Sequence, residues 1–260
     1  MKLKNEPSRE DVELTAINVS KIYGNKTLAL DRVNFSIKKG ERVCIVGESG
    51  SGKTTLAKIL CGMIPPTSGE IRFLNKRIDE MSEMERRIFR IKVQYIPQLP
   101  DLALDPTWYL YDSLVEPLRI HKLIASKQEE RDLVREICEM IGIRMEVLMR
   151  KPGNVSGGEL QRVVIARAIL LMPYILIADE PTSMLDPSLQ AKIIKILLDI
   201  QSKYNMGMIF ITHDLELAKY VSNRIFIMFK GKFVESGLTN EVLINPHHSY
   251  TKSLILNNTS

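Results

Sequence analysis

Apolar residues alternate with polar ones, or form short continuous runs, in two parts of this chain, and both patterns predict β-strands. In residues 12–46 the turn signals Gly24-Asn25 and Lys39-Gly40 divide the pattern into three predicted strands, the last over 42–46. Further strands are predicted over 70–73, 93–96, 175–178 and 208–211, followed by a hairpin of 225–229 with 233–235. Helices are predicted over 52–63 and 187–204 and in the tail from Thr239. Strands that alternate with helices in this way indicate an α/β protein.

Between about Leu99 and Lys151 the pattern changes to the period of amphipathic helices. One apolar helical face is formed by Leu133, Val134, Ile137, Met140 and Ile141. The sequence therefore predicts a helical subdomain inserted into the α/β core.

The 260 residues are 45% apolar and 26% charged, which is the composition of an ordinary globular protein. The net charge is +5, but the basic residues stand in small groups such as Lys38-Lys39, without a basic tract. No nucleic-acid partner is expected from this distribution. Cys44, Cys61 and Cys138 have no paired spacing, which predicts reduced core residues and not disulfides or a metal cluster.

The first chemical motif is Gly47-Glu48-Ser49-Gly50-Ser51-Gly52-Lys53-Thr54, which follows a predicted strand and opens a predicted helix. Its glycines let backbone N–H groups converge on a phosphate, and the helix N-terminus adds partial positive charge. We expect Lys53 to contact the β- and γ-phosphates of a nucleotide and the Thr54 hydroxyl to coordinate Mg²⁺.

Acidic and imidazole side chains follow two other predicted strands. Asp179 and Glu180 come after 175–178, and His213 comes after 208–211. In isolation such residues are more often turn or capping residues. Beside a phosphate loop on a parallel strand, Asp179 is expected to hold Mg²⁺ through water and Glu180 to polarise a water aimed at the γ-phosphate. His213 is then a candidate γ-phosphate sensor, while Asp214 suits a helix N-cap.

A second glycine-rich segment, Ser156-Gly157-Gly158-Glu159, lies far along the chain from the first. Placed at a helix N-terminus, Ser156 and the following N–H groups form another anion site. Two such sites so far apart suggest a nucleotide clamped between two surfaces, and hence two copies of the domain.

These residues together resemble the ATP-binding subunits of ABC transporters. Gly47–Thr54 resembles the Walker A loop, and 175–180 resembles Walker B with its catalytic glutamate. Residues 155–159 are similar to the LSGGQ signature, with Val155 and Glu159 as departures at its first and last positions.

Four shorter motifs extend the resemblance over nearly the whole chain, from about Val12 to Leu256. Gln98 matches the Q-loop, Ser183-Met184-Leu185-Asp186 the D-loop and His213 the H-switch, and Tyr23 matches the aromatic residue that stacks on adenine.

The resemblance implies an α/β fold: a P-loop NTPase core with an antiparallel β subdomain and an inserted α-helical subdomain, the ABC ATPase fold. It implies one ATP-binding domain over 12–260. Within it, 12–98 and 157–237 form the ATPase core and β subdomain, 99–156 the helical subdomain with the signature, and 238–260 a C-terminal helical tail.

The resemblance also implies the cofactors ATP and Mg²⁺ and a set of site residues. Catalytic roles fall to Glu180, His213 and Gln98, and contacts to the metal to Thr54, Gln98 and Asp179. The nucleotide-binding residues are Tyr23, Gly47, Glu48, Ser49, Gly50, Ser51, Gly52, Lys53, Thr54, Thr55, Gln98 and Asp179, together with Ser156, Gly157, Gly158, Glu159 and Asp186.

The implied partners begin with a second ATP-binding subunit, identical or related, arranged head to tail so that each signature caps the other subunit's ATP. Transmembrane permease subunits and, indirectly, a solute-binding protein complete the assembly. Trp108, Tyr109 and Tyr111 are equally consistent with a permease groove and with subdomain core. The expected location is cytoplasmic, peripheral on the inner face of the cell membrane.

The tail narrows the resemblance. Residues 245–251, Asn-Pro-His-His-Ser-Tyr-Thr, resemble the Asn-Pro-x-His-Pro-Tyr-Thr element of the peptide/nickel branch of importers, with Ser249 in place of proline. This implies that ATP-driven dimer closure energises import of an oligopeptide, a dipeptide or nickel. The alternative is a soluble ABC-type ATPase acting on a non-membrane partner. A P-loop GTPase or kinase is disfavoured, because no guanine-reading Asn-Lys-x-Asp element is present.

Overall fold

The computed structural model describes residues 13–24, 26–183 and 185–258. Val12, Asn25, Met184, Thr259 and Ser260, which belong to predicted segments, lie outside these ranges. The strands are β1 (Glu13–Tyr23), β2 (Thr27–Lys38), β3 (Arg42–Val46), β4 (Ser68–Phe73), β5 (Lys76–Arg77), β6 (Val93–Ile96), β7 (Ile175–Asp179), β8 (Gly207–Thr212), β9 (Arg224–Phe229) and β10 (Lys232–Leu238). The helices are α1 (Lys53–Leu60), α2 (Glu83–Lys92), α3 (Leu110–Ile120), α4 (Lys127–Ile141), α5 (Met145–Leu148), α6 (Gly157–Ile169), α7 (Pro187–Tyr204), α8 (Leu215–Val221), α9 (Thr239–Ile244) and α10 (Ser249–Asn258).

The strands form two sheets. The larger has the order β10-β9-β3-β8-β7-β6, in which β9, β3, β8, β7 and β6 run parallel and β10 pairs antiparallel with β9. The smaller has the order β2-β1-β4-β5 and is antiparallel throughout. The prediction of an α/β core with an antiparallel β subdomain is confirmed.

Both faces of the larger sheet are buried, because alternate residues of one strand enter different cores. In β3, Val43 and Ile45 pack with α1 and the smaller sheet, whereas Cys44 and Val46 pack with the helices on the other face. Such two-sided burial explains why the parallel strands are short, nearly continuous apolar runs. The parallel strands end at one edge, where loops from β3, β6, β7 and β8 meet.

Local hydrogen bonds set boundaries of two predicted helices. The predicted helix at 187–204 is observed as α7, which begins with Asp186 accepting from the Leu189 N–H at 3.0 Å. The helix predicted over 52–63 is shorter, since Met63 N–H bonds back to the Lys58 carbonyl at 2.9 Å and closes α1 at Leu60.

The predicted helical subdomain contains α3, α4 and α5. Val134, Ile137 and Ile141 on α4 are buried as their spacing predicts, and Leu133 and Met140 are half-buried against the same core. Helix α6 contacts α3 and α4 on one side and β6 on another. The proposed boundary between 156 and 157 therefore coincides with the first residue of a helix that packs against both parts.

The cysteines are free thiols, and Cys44 and Cys138 are buried in the core. Burial raises the pKa of Cys138 to about 11, which keeps its thiol protonated. Within the described ranges, no helix is both long and apolar enough to cross a membrane.

Candidate functional site

The loop between β3 and α1 places its charged side chain at the centre of the site. Lys53 is 6% exposed, and its Nζ donates to the carbonyls of Gly47 at 2.7 Å and Glu48 at 2.9 Å. Burial lowers the pKa of Lys53, while the carboxylates of Glu180 and Asp179 act in the opposite direction. The loop thus holds a buried cation within the field of two nearby acids.

The shape of this loop depends on the β9–β10 turn behind it. A Cβ at Gly47 would meet the Met228 backbone carbonyl far inside van der Waals contact, so only glycine fits there. Gly231 N–H, in the turn, donates to the Ser51 carbonyl at 2.8 Å. Strand β9 and the turn that follows it therefore support the loop at Gly47 and at Ser51.

Asp179, at the end of β7, is a buried carboxylate with one unpaired oxygen. It is 1% exposed; its Oδ2 accepts from the Tyr95 hydroxyl at 2.8 Å, while Oδ1 has no hydrogen-bond partner among the described residues. Burial raises the pKa of Asp179, and the hydroxyls of Thr54 and Tyr95 partly oppose this. An unpaired anionic oxygen beside a threonine hydroxyl is the donor set of a hard cation, so Asp179 and Thr54 fit Mg²⁺.

Glu180 is held in a strained backbone conformation. Its φ is 45°, in the left-handed region, and its N–H donates to the Ile211 carbonyl at 2.9 Å. Gln98 Nε2 donates to Glu180 Oε2 at 3.0 Å, and His213 Nδ1 lies 3.3 Å from Glu180 Oε1. Residues that follow β6, β7 and β8 are thus joined in one cluster, the Gln98–Glu180–His213 cluster.

This cluster and the loop line one open cavity of about 650 Å³. Tyr23 is not among the described residues that line this cavity. The Tyr23 hydroxyl nevertheless lies 3.5 Å from the hydroxyl of Thr55, which is a lining residue. The described lining consists of Ala29, Gly47, Glu48, Ser49, Gly50, Gly52, Lys53, Thr54, Thr55, Gln98, Glu180, His213, Leu254 and Asn257.

The signature residues lie outside that described lining. Ser156 is the N-cap of α6: its Oγ accepts from the Glu159 N–H at 3.3 Å, and its own N–H donates to Glu159 Oε2 at 3.0 Å. These hydrogen bonds lower the pKa of Glu159, which is also 3.7 Å from Arg144. Glu159 is therefore an ionised capping residue at the helix N-terminus where an anion site was predicted.

Gly158 and Asp186 connect the signature to the D-loop helix. A Cβ at Gly158 would collide with the Leu189 side chain on α7, so α6 and α7 approach closely at this point. Asp186 caps α7 and, like Gly157, is not part of the described cavity lining. The structure brings the loop and the Gln98–Glu180–His213 cluster together and leaves the signature and Asp186 apart from them.

Trp108, Tyr109 and Tyr111, which were predicted to form either a permease groove or subdomain core, do not share one environment. Trp108 is 43% exposed and Tyr109 53% exposed, so both are on the surface. Tyr111 packs against the helical core, and its hydroxyl donates to Glu130 at 3.1 Å. Of the three, only Tyr111 is part of the core.

Sequence reasoning missed the contribution of the tail and of Tyr95 to this site. Leu254 and Asn257 of α10 line the cavity, and Tyr250 contacts the loop backbone. Tyr250 belongs to the tail element recognised in the sequence, but nothing in the local pattern indicates which distant segment it contacts.

A protein-family model described as "ABC transporter" matches residues 30–183. The chain is 36% identical to the oligopeptide transport ATP-binding protein OppF of Streptococcus mutans serotype c, over 97% of this chain and 82% of that protein. It is 37% identical to the di/tripeptide transport ATP-binding protein DppF of Pseudomonas aeruginosa, over 87% and 70% respectively.

The chain is also 39% identical to the glutathione import ATP-binding protein GsiA of Escherichia coli K12 over 87% of its residues, but it spans only 36% of that longer protein. Among solved structures, it resembles the dimeric structure of a post-hydrolysis state of the ATP-binding cassette MJ0796 bound to ADP and Pi. The TM-score is 0.79 at 31% identity, over 87% of this chain and 98% of that chain.

Proposed function

The chain belongs to the ABC transporter family, and on that premise we propose that it energises peptide import by hydrolysing ATP at the cavity described above. As a member of the family it is an ATP-binding, ATP-hydrolysing subunit of a transporter. The observation that carries the assignment of residues is the Gln98–Glu180–His213 cluster, which faces the Lys53 loop across one cavity.

In this proposal different side chains of the site bind the nucleotide, activate water and hold the metal ion. Lys53 and the backbone N–H groups of 49–54 bind the β- and γ-phosphates, and Tyr23 stacks on adenine. Glu180 takes the proton of the attacking water, with its carboxylate oriented by Gln98 and by His213, which also faces the γ-phosphate. Thr54 and Asp179, with Gln98, would hold Mg²⁺, which when bound would neutralise charge on the phosphates.

A second subunit completes the site in this arrangement. Ser156–Glu159 and Asp186 lie outside the described lining of the chain's own cavity. In this proposal the N-terminus of α6 binds the other subunit's ATP through the N–H groups that its capping box leaves free. The matched MJ0796 structure is dimeric. A head-to-tail dimer, of two copies or of this chain with a related one, would place each signature on the other subunit's ATP.

The other partners are permease subunits at the inner face of the membrane and, through them, a solute-binding protein. A groove of about 340 Å³ lies between the α/β core and the helical subdomain, and its lining includes the exposed apolar residues Met63 and Ile120. Trp108 and Tyr109, which precede α3 of the helical subdomain, are exposed as well. Exposed aromatic and apolar side chains are typical anchors of protein interfaces. The peptide class of substrate is supported by the tail element and by the names of the matched relatives.

Substitution Glu180→Gln tests the assignment of the catalytic base. Because an amide cannot accept the proton, we expect ATP hydrolysis to fall by roughly 10²-fold or more while ATP binding is retained. Phosphate release and equilibrium nucleotide binding measure the two quantities separately. Glu136→Gln makes the same chemical change on the exposed face of α4 and is the matched control. Hydrolysis by Glu180→Gln at the parental rate would show that Glu180 is not the base.

A further inference from the structure

The first turn of α10 rests directly on the phosphate-binding loop. The Tyr250 hydroxyl accepts a hydrogen bond from the Glu48 N–H at 3.1 Å, across 202 residues of sequence. The Tyr250 ring stacks on Phe229, with 4.2 Å between the ring centroids and 30° between the planes. One side chain therefore joins three segments: the tail, the loop and the end of β9.

A network of hydrogen bonds fixes the position of Tyr250. Glu235, on β10, accepts from the N–H groups of His247 at 2.7 Å and His248 at 3.1 Å. His248 Nδ1 in turn accepts from the Tyr250 N–H at 3.1 Å. The next residue, Thr251, is completely buried. The residues of the tail element thus hold the Tyr250 ring in one place.

The Tyr250 contact adds to the support that the β9–β10 turn gives the loop. Strand β9 runs parallel to β3, with Val46 opposite Ile227, so Phe229 ends beside the start of the loop. The turn fixes the carbonyl of Ser51, and Tyr250 fixes the N–H of Glu48. Glu48 N–H is committed to Tyr250, and the contact therefore acts on the conformation of the loop.

We propose that Tyr250 is a positioning residue for nucleotide binding, which holds the start of the phosphate loop in its binding conformation and so couples the docking of α10 to the affinity for ATP and ADP. The inference rests on the proposed location of the nucleotide phosphates on residues 47–54. Leu254 and Asn257, farther along α10, line the same cavity, so the tail helix and the loop form adjoining walls. Nucleotide affinity thus depends on a segment outside the motifs that bind nucleotide.

Loss of the Tyr250–Glu48 hydrogen bond is expected to weaken nucleotide binding, because this bond preorganises the phosphate loop. A loop whose first residues are no longer held must be ordered when the nucleotide binds, and this cost reduces affinity. Because the loop cradles the β-phosphate, ATP and ADP are affected alike. The Gln98–Glu180–His213 cluster lies on other strand ends, so the chemical step at saturating ATP is preserved.

Tyr250→Phe tests the proposal, because it removes the hydroxyl and keeps the ring on Phe229. We expect the dissociation constants of ATP and ADP to rise by roughly threefold to tenfold, the effect of one hydrogen bond. Turnover at saturating ATP stays within about twofold of the parental value, so the loss appears in KM. Tyr220→Phe, the same change on an exposed tyrosine of α8, is the control and leaves both constants unchanged.

Two further variants, Tyr250→Leu and Lys53→Ala, test the proposal from other directions. Tyr250→Leu removes the stacking as well and is expected to bind nucleotide more weakly than Tyr250→Phe; equal affinity of Tyr250→Phe and the parent overturns the proposal. A fall in turnover with unchanged nucleotide affinity also overturns it. Lys53→Ala distinguishes failure of the proposed function from failure of this inference. If Lys53→Ala binds ATP as the parent does, the proposed location of the phosphates is wrong. If Lys53→Ala loses ATP binding while Tyr250→Phe binds ATP as the parent does, only the role of Tyr250 is overturned.

Discussion

Burial of the Asp179 carboxylate opposes folding of the nucleotide-free chain, because one of its oxygens has no hydrogen-bond partner in the described structure. Leaving a buried acceptor unsatisfied costs about 1–3 kcal/mol. The raised pKa of Asp179 has the same origin, since the charged form is desolvated. The residue that best fits a metal ion is therefore destabilising until a cation neutralises it.

Asp179→Asn should stabilise the nucleotide-free protein at neutral pH by about 1–2 kcal/mol, since it removes the buried charge but also its attraction to Lys53. A folded pKa above the ordinary value of 3.8 means that the native state binds the proton more tightly than the unfolded state does. The contribution of Asp179 to the parent's stability therefore falls as pH rises through the window above 3.8, and the advantage of the Asp179→Asn variant grows with pH. Denaturant unfolding at a series of pH values measures it, with exposed Asp199→Asn as control; a difference independent of pH would contradict the argument.

Glu159 shows how a departure from a family pattern is accommodated. Its carboxylate accepts from the Ser156 N–H and from the Ser156 hydroxyl, at 3.0 and 2.9 Å, and so completes a capping box. A glutamine at this position would offer one carbonyl oxygen for the same contacts, and both glutamate and glutamine are common at this position of a capping box. The remaining difference is the negative charge, which Arg144 partly offsets from 3.7 Å.

At the scale of elements, the hydrophobic pattern predicted α7 and the parallel strands, because these elements are long or bounded by clear signals. Helix α2 was missed, although Ser82 and Glu85 form a capping box that is visible in the sequence. The contact of Tyr250 with Glu48 could not be predicted at all. It depends on how β9, β10 and the tail pack, and no local pattern encodes a pairing across 202 residues.

The close approach of α6 and α7 leads to a prediction for the two signature glycines. A Cβ at Gly157 meets nothing within 4 Å, whereas a Cβ at Gly158 overlaps the half-buried Leu189 side chain. Gly158→Ala should therefore cost about 1–3 kcal/mol of stability, because Leu189 must leave its position. Gly157→Ala should be neutral or stabilising by up to about 1 kcal/mol, as alanine favours helix. Thermal unfolding of the pair measures the difference, and equal melting temperatures would contradict the packing argument.

At the scale of the whole molecule, one chain carries two parts that its own fold does not bring together. The loop and the Gln98–Glu180–His213 cluster line the cavity, and the signature stands at the start of α6, outside the described lining. The phosphate loop and the signature can both bind a nucleotide phosphate, because each lies at a helix N-terminus where backbone N–H groups are exposed. A symmetric pair of chains would satisfy both parts twice.

Mixing two inactive variants tests whether the site is shared between copies. Lys53→Ala disables the loop and Ser156→Arg disables the signature, so each variant alone should hydrolyse ATP very slowly. In a mixed dimer, the intact loop of one chain meets the intact signature of the other. If chains pair at random, half of the dimers are mixed and each has one competent site, so roughly a quarter of the parental activity should return. Phosphate release from the separate variants and from the mixture measures this, after unfolding curves confirm that both are folded. A mixture no faster than its components would contradict a site shared between two copies of this chain.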